Sequence, residues 1–229
     1  MQEHGLWRTV PSSVRKRIQK GKKGNLPETP KGSSRIFKQV HNVLVGTNEE
    51  SCQAAAEVLE KRGYHSLILS TRLQGEAREV GKVLASICAD IHENQHPVAP
   101  RAAVVAGGET TVTVHGKGRG GRNQELVLSA ALSIRGNPAT LVASIGTDGV
   151  DGPTNAAGAV ADGNTVERAL RVHMDPDSYL QENNSFPFFE RLNDLVITGP
   201  TGTNVNDIFI AIVGPGNQKN DTARRSRGK

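Results

Sequence analysis

The sequence predicts an α/β fold, in which strands and helices alternate along most of the chain. Segments with helical spacing of apolar residues separate short apolar runs of the kind that form buried strands. Alanine, valine, leucine and isoleucine supply the core, and aromatic residues make up only 3% of the chain. This composition is typical of a protein built from a sheet and helices.

Residues 41–95 contain the first regular succession of elements. NVLVG (42–46) is predicted as a strand, and Asn48 as the N-cap of the helix EESCQAAAEVLEKR, which Gly63 ends. LILS (67–70) is predicted as the next strand, and residues 75–93 follow with helical spacing.

The second half continues the alternation after the linker-like HPVAP at 96–100. Before residue 41, the sequence predicts only a short helix near 12–19, in the basic N-terminal segment. Strands are predicted at 102–107, 111–115, 140–146, 194–199 and 207–213, and helices at 122–134, 165–171 and 185–191.

The net charge of +5 is concentrated at the two ends of the chain. Residues 1–38 carry ten Lys and Arg against two acids, and residues 216–229 carry five against one, so the middle is acidic. Nucleic-acid binding needs a basic folded face, which this distribution does not favour. No run is apolar enough for a membrane span. Cys52 and Cys88 are predicted as buried thiols rather than a disulfide.

Three glycine-rich segments follow apolar strands: GGETTVTVHGKGRGGRNQE (107–125), IGTDGVDGPTNAAG (145–158) and TGPTGTNVND (198–207). Open α/β sheets bind ligands outside the carboxyl ends of their strands. The sequence therefore predicts one shared site at these loops, although each loop taken singly is also compatible with an ordinary turn.

The first segment allows two interpretations. Gly116, Gly118 and Gly121 fit the dinucleotide pattern G-x-G-x-x-G, but position 141, where its acidic residue is expected, is Leu. The segment also carries three cations, Lys117, Arg119 and Arg122. Free backbone N–H groups with this much positive charge favour binding of a triphosphate or a phosphoryl group in transfer.

The other two segments add carboxylates, hydroxyls and amides. Asp148 and Asp151 are predicted to coordinate Mg²⁺ or to act as a base for a substrate hydroxyl, and their alternative role is in Asp-Gly turns. In the first segment Asn123 is a candidate N-cap, and Glu125 a partner of the helix dipole. The third segment offers Thr201, Thr203, Asn204 and Asp207.

Together the three segments resemble the C-terminal MOFRL-type domain of the class II glycerate kinases. GGETTVTV…GRGGRNQE, GTDGVDGPTNAAGA and TGPTGTNVNDI carry the resemblance, which is dense from about Arg101 to Val213 and extends upstream through HNVLVGTNEESCQAAAEVL. It implies 41–95 as a βαβα remnant of a Rossmann-like domain and 96–214 as a MOFRL-type α/β domain. A basic segment (1–40) and a disordered basic tail (215–229) complete the predicted organisation.

The resemblance implies phosphorylation of D-glycerate by ATP with Mg²⁺, in a cleft between two domains. Arg122, Asp148 and Asp151 are the implied catalytic residues, with Mg²⁺ at Asp148 or Asp151. The implied phosphate- and nucleotide-binding residues are Gly107, Gly108, Glu109, Lys117, Gly118, Gly120, Gly121 and Asn123. Glu125, Thr201, Thr203, Asn204 and Asp207 are implied to line the substrate cleft.

Members of this family are about twice as long as this chain, so we expect a truncated form, for instance a splice product, with weak or no activity alone. A non-catalytic nucleotide- or partner-binding fragment is the first alternative. An NAD(P)H-dependent hydroxypyruvate reductase, supported only by the partial dinucleotide pattern, is the second. We expect no nucleic-acid or membrane partner and a cytoplasmic location, with a mitochondrial one left open by the basic, acid-free residues 8–24.

Overall fold

The computed structural model describes residues 4–215, which form two compact units, 4–44 and 45–215. The first unit contains two short 3₁₀ helices, Leu6–Arg8 and Arg35–Gln39, and helix α1, Ser12–Lys22. Helix α1 confirms the helix predicted near 12–19 and extends it by one turn. None of its side chains is buried.

The second unit is a six-stranded sheet with helices on its faces. Its helices are α2 (Asn48–Lys61), α3 (Ala77–Asn94), α4 (Arg122–Ser133), α5 (Thr165–Arg171), α6 (Pro176–Gln181) and α7 (Ser185–Leu192). Its strands are β1 (His65–Leu73), β2 (Ala102–Gly108), β3 (Thr140–Gly146), β4 (Gly158–Asp162), β5 (Leu195–Val196) and β6 (Asp207–Val213).

The sheet is mixed, with the strand order β1-β2-β6-β3-β4-β5. Strands β1 and β2 pair in parallel and are joined by α3, whereas every other neighbouring pair is antiparallel. The predicted α/β class is therefore confirmed. Strand β1, from the segment 41–95, pairs directly with β2, from the segment 96–214.

Strand β2 lies in the centre of the core because both of its faces are covered. Val104 belongs to the larger apolar cluster, which includes residues of α3, α4 and α7, and Val105 packs in a smaller cluster with Cys52 of α2. Successive side chains of a strand point to opposite faces, so burial on both sides explains the continuous apolar run AAVVAG. A Cβ on Gly81 would overlap the carbonyl oxygen of Leu126, so this glycine lets α3 approach α4 closely.

Three of the predicted strands need correction. Residues 42–46 form no strand, and Val43, Leu44 and Val45 are 76%, 83% and 95% exposed, because an apolar run becomes a strand only where a partner strand is available. Residues 111–115 alternate as a strand would, yet only Thr111 forms a bridge, to Glu76. The strand predicted at 194–199 is only the two residues of β5.

Two elements were not predicted from the sequence, and one helix cap was predicted at the wrong residue. Strand β4 is rich in glycine and alanine, and α6 is only six residues long, so neither carries a strong periodic pattern. The N-cap of α2 is Thr47, whose hydroxyl accepts the Glu50 N–H, and not Asn48. The ending of this helix at Gly63, which has a φ of 82°, is confirmed.

Both cysteines are free and buried, as predicted. Burial raises the pKa of the Cys88 thiol to about 12 and raises that of Cys52 as well. Along residues 4–215, no helix combines the length and apolar character that a membrane crossing requires. The disordered tail predicted for 215–229 lies, apart from its first residue, outside the described residues.

Candidate functional site

The three glycine-rich segments meet where strand β6 begins. Asp207, its first residue, pairs with Gly108 at the end of β2 and with Gly146 at the end of β3. Because β6 runs antiparallel to both neighbours, the segment that enters it lies beside the segments that leave them. The sheet thus brings all three segments to a single edge.

Arg122 opens helix α4 at this edge and forms a two-pronged contact with Asp207. Its Nε lies 2.6 Å from Asp207 Oδ2 and its Nη2 lies 3.0 Å from Oδ1. The Asp207 side chain is fully buried, whereas the Arg122 side chain is 34% exposed. The hydrogen bonds to Asp207 raise the pKa of Arg122 further above its ordinary value, and Nη1 points to Glu109, 3.1 Å from its Oε1.

Asp151 caps the same helix from a distant loop. Its Oδ1 accepts the backbone N–H of Asn123 at 3.1 Å and its Oδ2 accepts that of Gln124 at 2.9 Å. The side-chain amide of Asn123 also donates to Oδ1. Burial raises the pKa of Asp151, although these hydrogen bonds act in the opposite direction. The observed contacts are those of a helix cap, and the catalytic and metal-binding role of Asp151 stays a prediction.

Asn123, a candidate cap by sequence, instead lies inside the first turn of α4, and Gly121 occupies the N-cap position. The Asn123 side chain is buried, with its carbonyl oxygen accepting a hydrogen bond from the Ser144 hydroxyl. Asn123 thereby joins α4 to strand β3 through its side chain.

Most backbone N–H groups of the first glycine-rich segment already have partners within the fold. Those of His115 and Gly116 donate to the side-chain oxygen of Asn183, and that of Arg119 donates to Asn184. The N–H of Gly118 donates to the Glu182 carbonyl. These amides therefore hold the segment to the loop before α7. We predicted that free amides of this segment face an anion. Among the described residues 115–125, only the amides of 120–122 form no hydrogen bond.

Glycine is needed in this segment for close packing. A Cβ on Gly116 or Gly118 would overlap Glu182, one on Gly120 would overlap Ser185, and one on Gly121 would overlap Asp151. The spacing that matches the dinucleotide pattern thus follows from contacts with two other loops. Arg119 stacks over the Phe186 ring, with its Cζ 4.2 Å from the ring centre, and Lys117 is exposed.

Glu125 is buried in a polar network one turn into α4. Its Oε1 accepts two hydrogen bonds from Arg78 of α3, at 2.7 and 2.9 Å, and its Oε2 accepts one from Asn183 at 2.8 Å. Asn183 in turn holds the amides of His115 and Gly116. Glu125 therefore fixes the glycine-rich segment relative to α3 and α4.

The second and third segments bind to each other. Asp148 accepts the Val150 N–H at 3.0 Å and contacts the Asn204 side-chain amide at 3.4 Å. The Thr201 hydroxyl donates to the carbonyls of Thr147 and Thr203. These contacts shape two adjoining turns, and the substrate and metal roles of Asp148, Thr201, Thr203 and Asn204 stay predictions.

Asn48 is a residue of this edge that sequence reasoning placed only as a cap. Its side-chain amide donates to the carbonyls of Val205 and Asp207, at 2.7 and 2.9 Å. A Cβ on Gly107 would overlap the Asn48 side chain. No local pattern could reveal a contact between residues so far apart in the sequence. The only trace of it there is Gly107, which we predicted to bind phosphate or nucleotide.

A cleft of about 720 Å³ opens beside Arg122. Six of the predicted site residues line it, namely Glu109, Gly118, Gly120, Gly121, Arg122 and Glu125, and new members of its wall are Gln74, Thr110, Thr111, Val112, Val114, Gly152, Pro153 and Asn183. The cleft wall does not include Gly107, Gly108, Lys117, Asn123, Asp148, Asp151, Thr201, Thr203, Asn204 or Asp207.

Metal binding at this edge has few free ligands. Over residues 4–215, no three His, Cys, Asp or Glu side chains are grouped to hold a metal ion. Both oxygens of Asp151 and of Asp207 already accept hydrogen bonds. Of the two carboxylates in the cleft wall, Glu125 is buried and Glu109 is 53% exposed. A Mg²⁺ ion held mainly by phosphates and water needs only one or two protein carboxylates, and Glu109 fits that need.

Comparison with known proteins places these observations in a family. The MOFRL family model matches residues 102–207. A glycerate 2-kinase of Pyrococcus horikoshii is 43% identical over 211 residues, which are 92% of this chain and 47% of the relative. A D-glycerate 2-kinase of Thermotoga maritima is 42% identical over 84% of this chain and 45% of its own length.

A crystal structure of glycerate kinase from Thermotoga maritima superposes with a TM-score of 0.77 at 40% identity, and the match covers 93% of this chain and 48% of that one. The chain thus spans about half the length of the relatives that it matches. The family match begins with β2 and ends at Asp207, the residue where the three glycine-rich segments meet. The chain therefore contains a MOFRL-family domain, at residues 102–207.

Proposed function

We propose that this chain supplies the phosphate-facing side of a glycerate 2-kinase, which transfers the terminal phosphate of ATP to D-glycerate. The observation that carries the proposal is Arg122, which lines the cleft at the start of α4. The buried Asp207 holds two of its nitrogens, and the third lies beside the exposed Glu109. A guanidinium fixed at a helix N-terminus stabilises the charge of a phosphoryl group in transfer. The relatives from Pyrococcus and Thermotoga are named as 2-kinases of glycerate, and for this reason we propose D-glycerate as the phosphate acceptor and its 2-position as the site of transfer.

Within this function Arg122 binds the phosphoryl oxygens. Gly120 and Gly121 line the same cleft, and their amides form no hydrogen bond within residues 4–215. Asp207 orients the Arg122 side chain, and Asp151 orients the start of helix α4. A Mg²⁺ ion, when bound, neutralises phosphate charge. We place Asp148, Thr201 and Asn204 as shaping residues of the adjoining turns.

The test is phosphorylation of D-glycerate by the 229-residue chain with Mg·ATP, with the Pyrococcus relative as the positive control. Arg122→Ala is expected to lower kcat by roughly 10²- to 10³-fold wherever turnover is seen, as loss of one transition-state donor does. Because this change leaves Asp207 buried without a partner, Arg122→Ala/Asp207→Asn serves as the folding control. Near-normal kcat in a folded Arg122→Ala chain would refute the role of Arg122.

We further propose that the 229-residue chain alone turns over slowly or not at all. Phosphoryl transfer needs contacts that position both substrates, and the described cleft offers one exposed carboxylate and one cation. The corresponding alternative is a nucleotide-binding chain without catalysis. Calorimetry with Mg·ATP, run beside the turnover assay, distinguishes slow catalysis from binding alone. Binding without turnover supports the alternative. Turnover at the rate of the relative contradicts slow catalysis.

The reductase alternative receives no support from the glycine-rich segment. Gly116, Gly118 and Gly121 pack against Glu182 and Asp151, where a dinucleotide pyrophosphate would need an open backbone. We expect no hydroxypyruvate-dependent oxidation of NADH or NADPH by this chain, which absorbance at the nicotinamide band measures directly.

A further inference from the structure

Arg122 and Glu109 both line the cleft, whereas Asp207 does not. Asp207 takes Nε and Nη2, and Glu109 Oε1 lies 3.1 Å from Nη1. Glu109 differs from Asp207 in exposure, at 53% against none. An exposed carboxylate at the end of a strand exchanges partners readily, whereas a buried one held by two hydrogen bonds does not.

The charges beside the cleft do not favour a bare polyanion. Arg122 meets two carboxylates, so this group of three side chains carries a net negative charge at neutral pH. The nearby Glu125 is already matched by Arg78. A phosphate that arrives without a cation must displace Glu109 from Arg122 and then lie beside its charge.

Two further observations mark this end of the cleft as a place for a ligand. The Thr110 hydroxyl is buried without a hydrogen-bond partner among the described residues, and Thr110, 2% exposed, lines the cleft next to Glu109. The amides of Gly120, Gly121 and Arg122 form no hydrogen bond within residues 4–215 and belong to the same wall. A buried hydroxyl and helix-terminal amides without partners suit the oxygens of an anion.

Resting on the proposed function, we propose that Glu109, rather than Asp148 or Asp151, is the carboxylate that meets the divalent cation of the incoming nucleotide. In the absence of the cation, Glu109 competes with phosphate for Arg122. When the nucleotide carries Mg²⁺, the carboxylate turns from a competitor into a ligand. The preference of the cleft for a cation-bound nucleotide over a bare one therefore depends on this side chain.

The test is calorimetric titration of the 229-residue chain with ADP, once with excess Mg²⁺ and once with EDTA. We expect the wild-type chain to bind Mg·ADP roughly tenfold more tightly than bare ADP, and Glu109→Gln to shrink this ratio of Kd values at least fivefold. One lost charge contact that is partly screened is about that large. The matched control is Glu167→Gln, which removes a similarly exposed glutamate from an ion pair with Arg135. Neither residue lines the cleft, so we expect the ratio to stay unchanged.

An unchanged ratio in Glu109→Gln, with ADP still bound, would overturn the inference and leave the proposed kinase intact. The inference would also be overturned if neither the wild-type chain nor Glu109→Gln bound ADP in either buffer. A ratio that depends on Glu109, found together with a near-normal kcat in a folded Arg122→Ala chain, would instead count against the proposed function alone.

Discussion

Arg122 and Asp207 form a two-pronged ion pair across the edge where three loops meet, with Nε–Oδ2 and Nη2–Oδ1 distances of 2.6 and 3.0 Å. Asp207 is buried at the first position of β6, and Arg122 is the first residue of α4. The pair therefore fixes the start of the helix to the centre of the sheet.

Asp207→Ala is expected to lower the free energy of unfolding by about 1.5–3 kcal/mol, because charged hydrogen bonds are lost and a cavity remains. The expected loss of stability is not larger because Arg122 is partly exposed, so water can hydrogen-bond to its guanidinium in the variant. Urea unfolding measures it. The control is Glu167→Ala, in an exposed pair with Arg135, for which we expect about 0–1 kcal/mol. Equal losses in the two variants would contradict the structural importance of the pair.

Asp151→Ala is expected to destabilise the fold by at least about 2 kcal/mol, since two backbone amides at the start of α4 lose their only acceptor in a buried place. Asp175 caps the short helix α6 by a single contact to Asp177 N, at 3.3 Å, and Asp175→Ala should cost about 0.5–1 kcal/mol. Thermal unfolding of both variants makes the comparison. A smaller effect at Asp151 than at Asp175 would show that water replaces the cap.

Gly121→Ala tests the packing explanation of the glycine pattern. The φ of Gly121 is −132°, so alanine meets no backbone strain there, and any loss comes from overlap with Asp151. We expect a loss of about 1–3 kcal/mol in urea unfolding. In Gly32→Ala a Cβ has open space, and stability should change by less than about 0.5 kcal/mol. Unchanged stability of Gly121→Ala would refute close packing as the reason for this glycine.

Cys88 should make the protein less stable in alkali. Its pKa is about 12 in the fold against 9.0 for the ordinary thiol, so the unfolded chain releases this proton first as the pH rises. The stabilisation is complete below pH 9 and is lost as the pH rises from 9 towards 12. The difference in unfolding free energy between wild type and Cys88→Ala should shrink by about 1.4 kcal/mol between pH 8 and 10. A constant difference in urea titrations at these two pH values would contradict the burial of this thiol.

The sequence located the three loops that the structure brings together, and the roles of the individual site residues stay predictions. Apolar runs and glycine-rich endings located β2, β3 and β6 and the three segments that meet there. It could not distinguish Glu109, which lies in the cleft wall, from Asp148 and Asp151, whose oxygens hold local turns and a helix end. All three are acids after a strand, and only the direction of each side chain separates them.

The sequence by itself determined the α/β class, most helices and strands, the burial of both cysteines and the family resemblance, because these depend on periodicity and on motifs that are continuous in the chain. Only the tertiary structure decided that Asn48 supports the third segment, that Asp151 caps α4 and that Asn183 holds the amides of the glycine-rich loop. Each of these contacts joins residues more than 25 positions apart. Such pairings are set by the order and direction of strands in the sheet, and above all by the antiparallel insertion of β6 between β2 and β3.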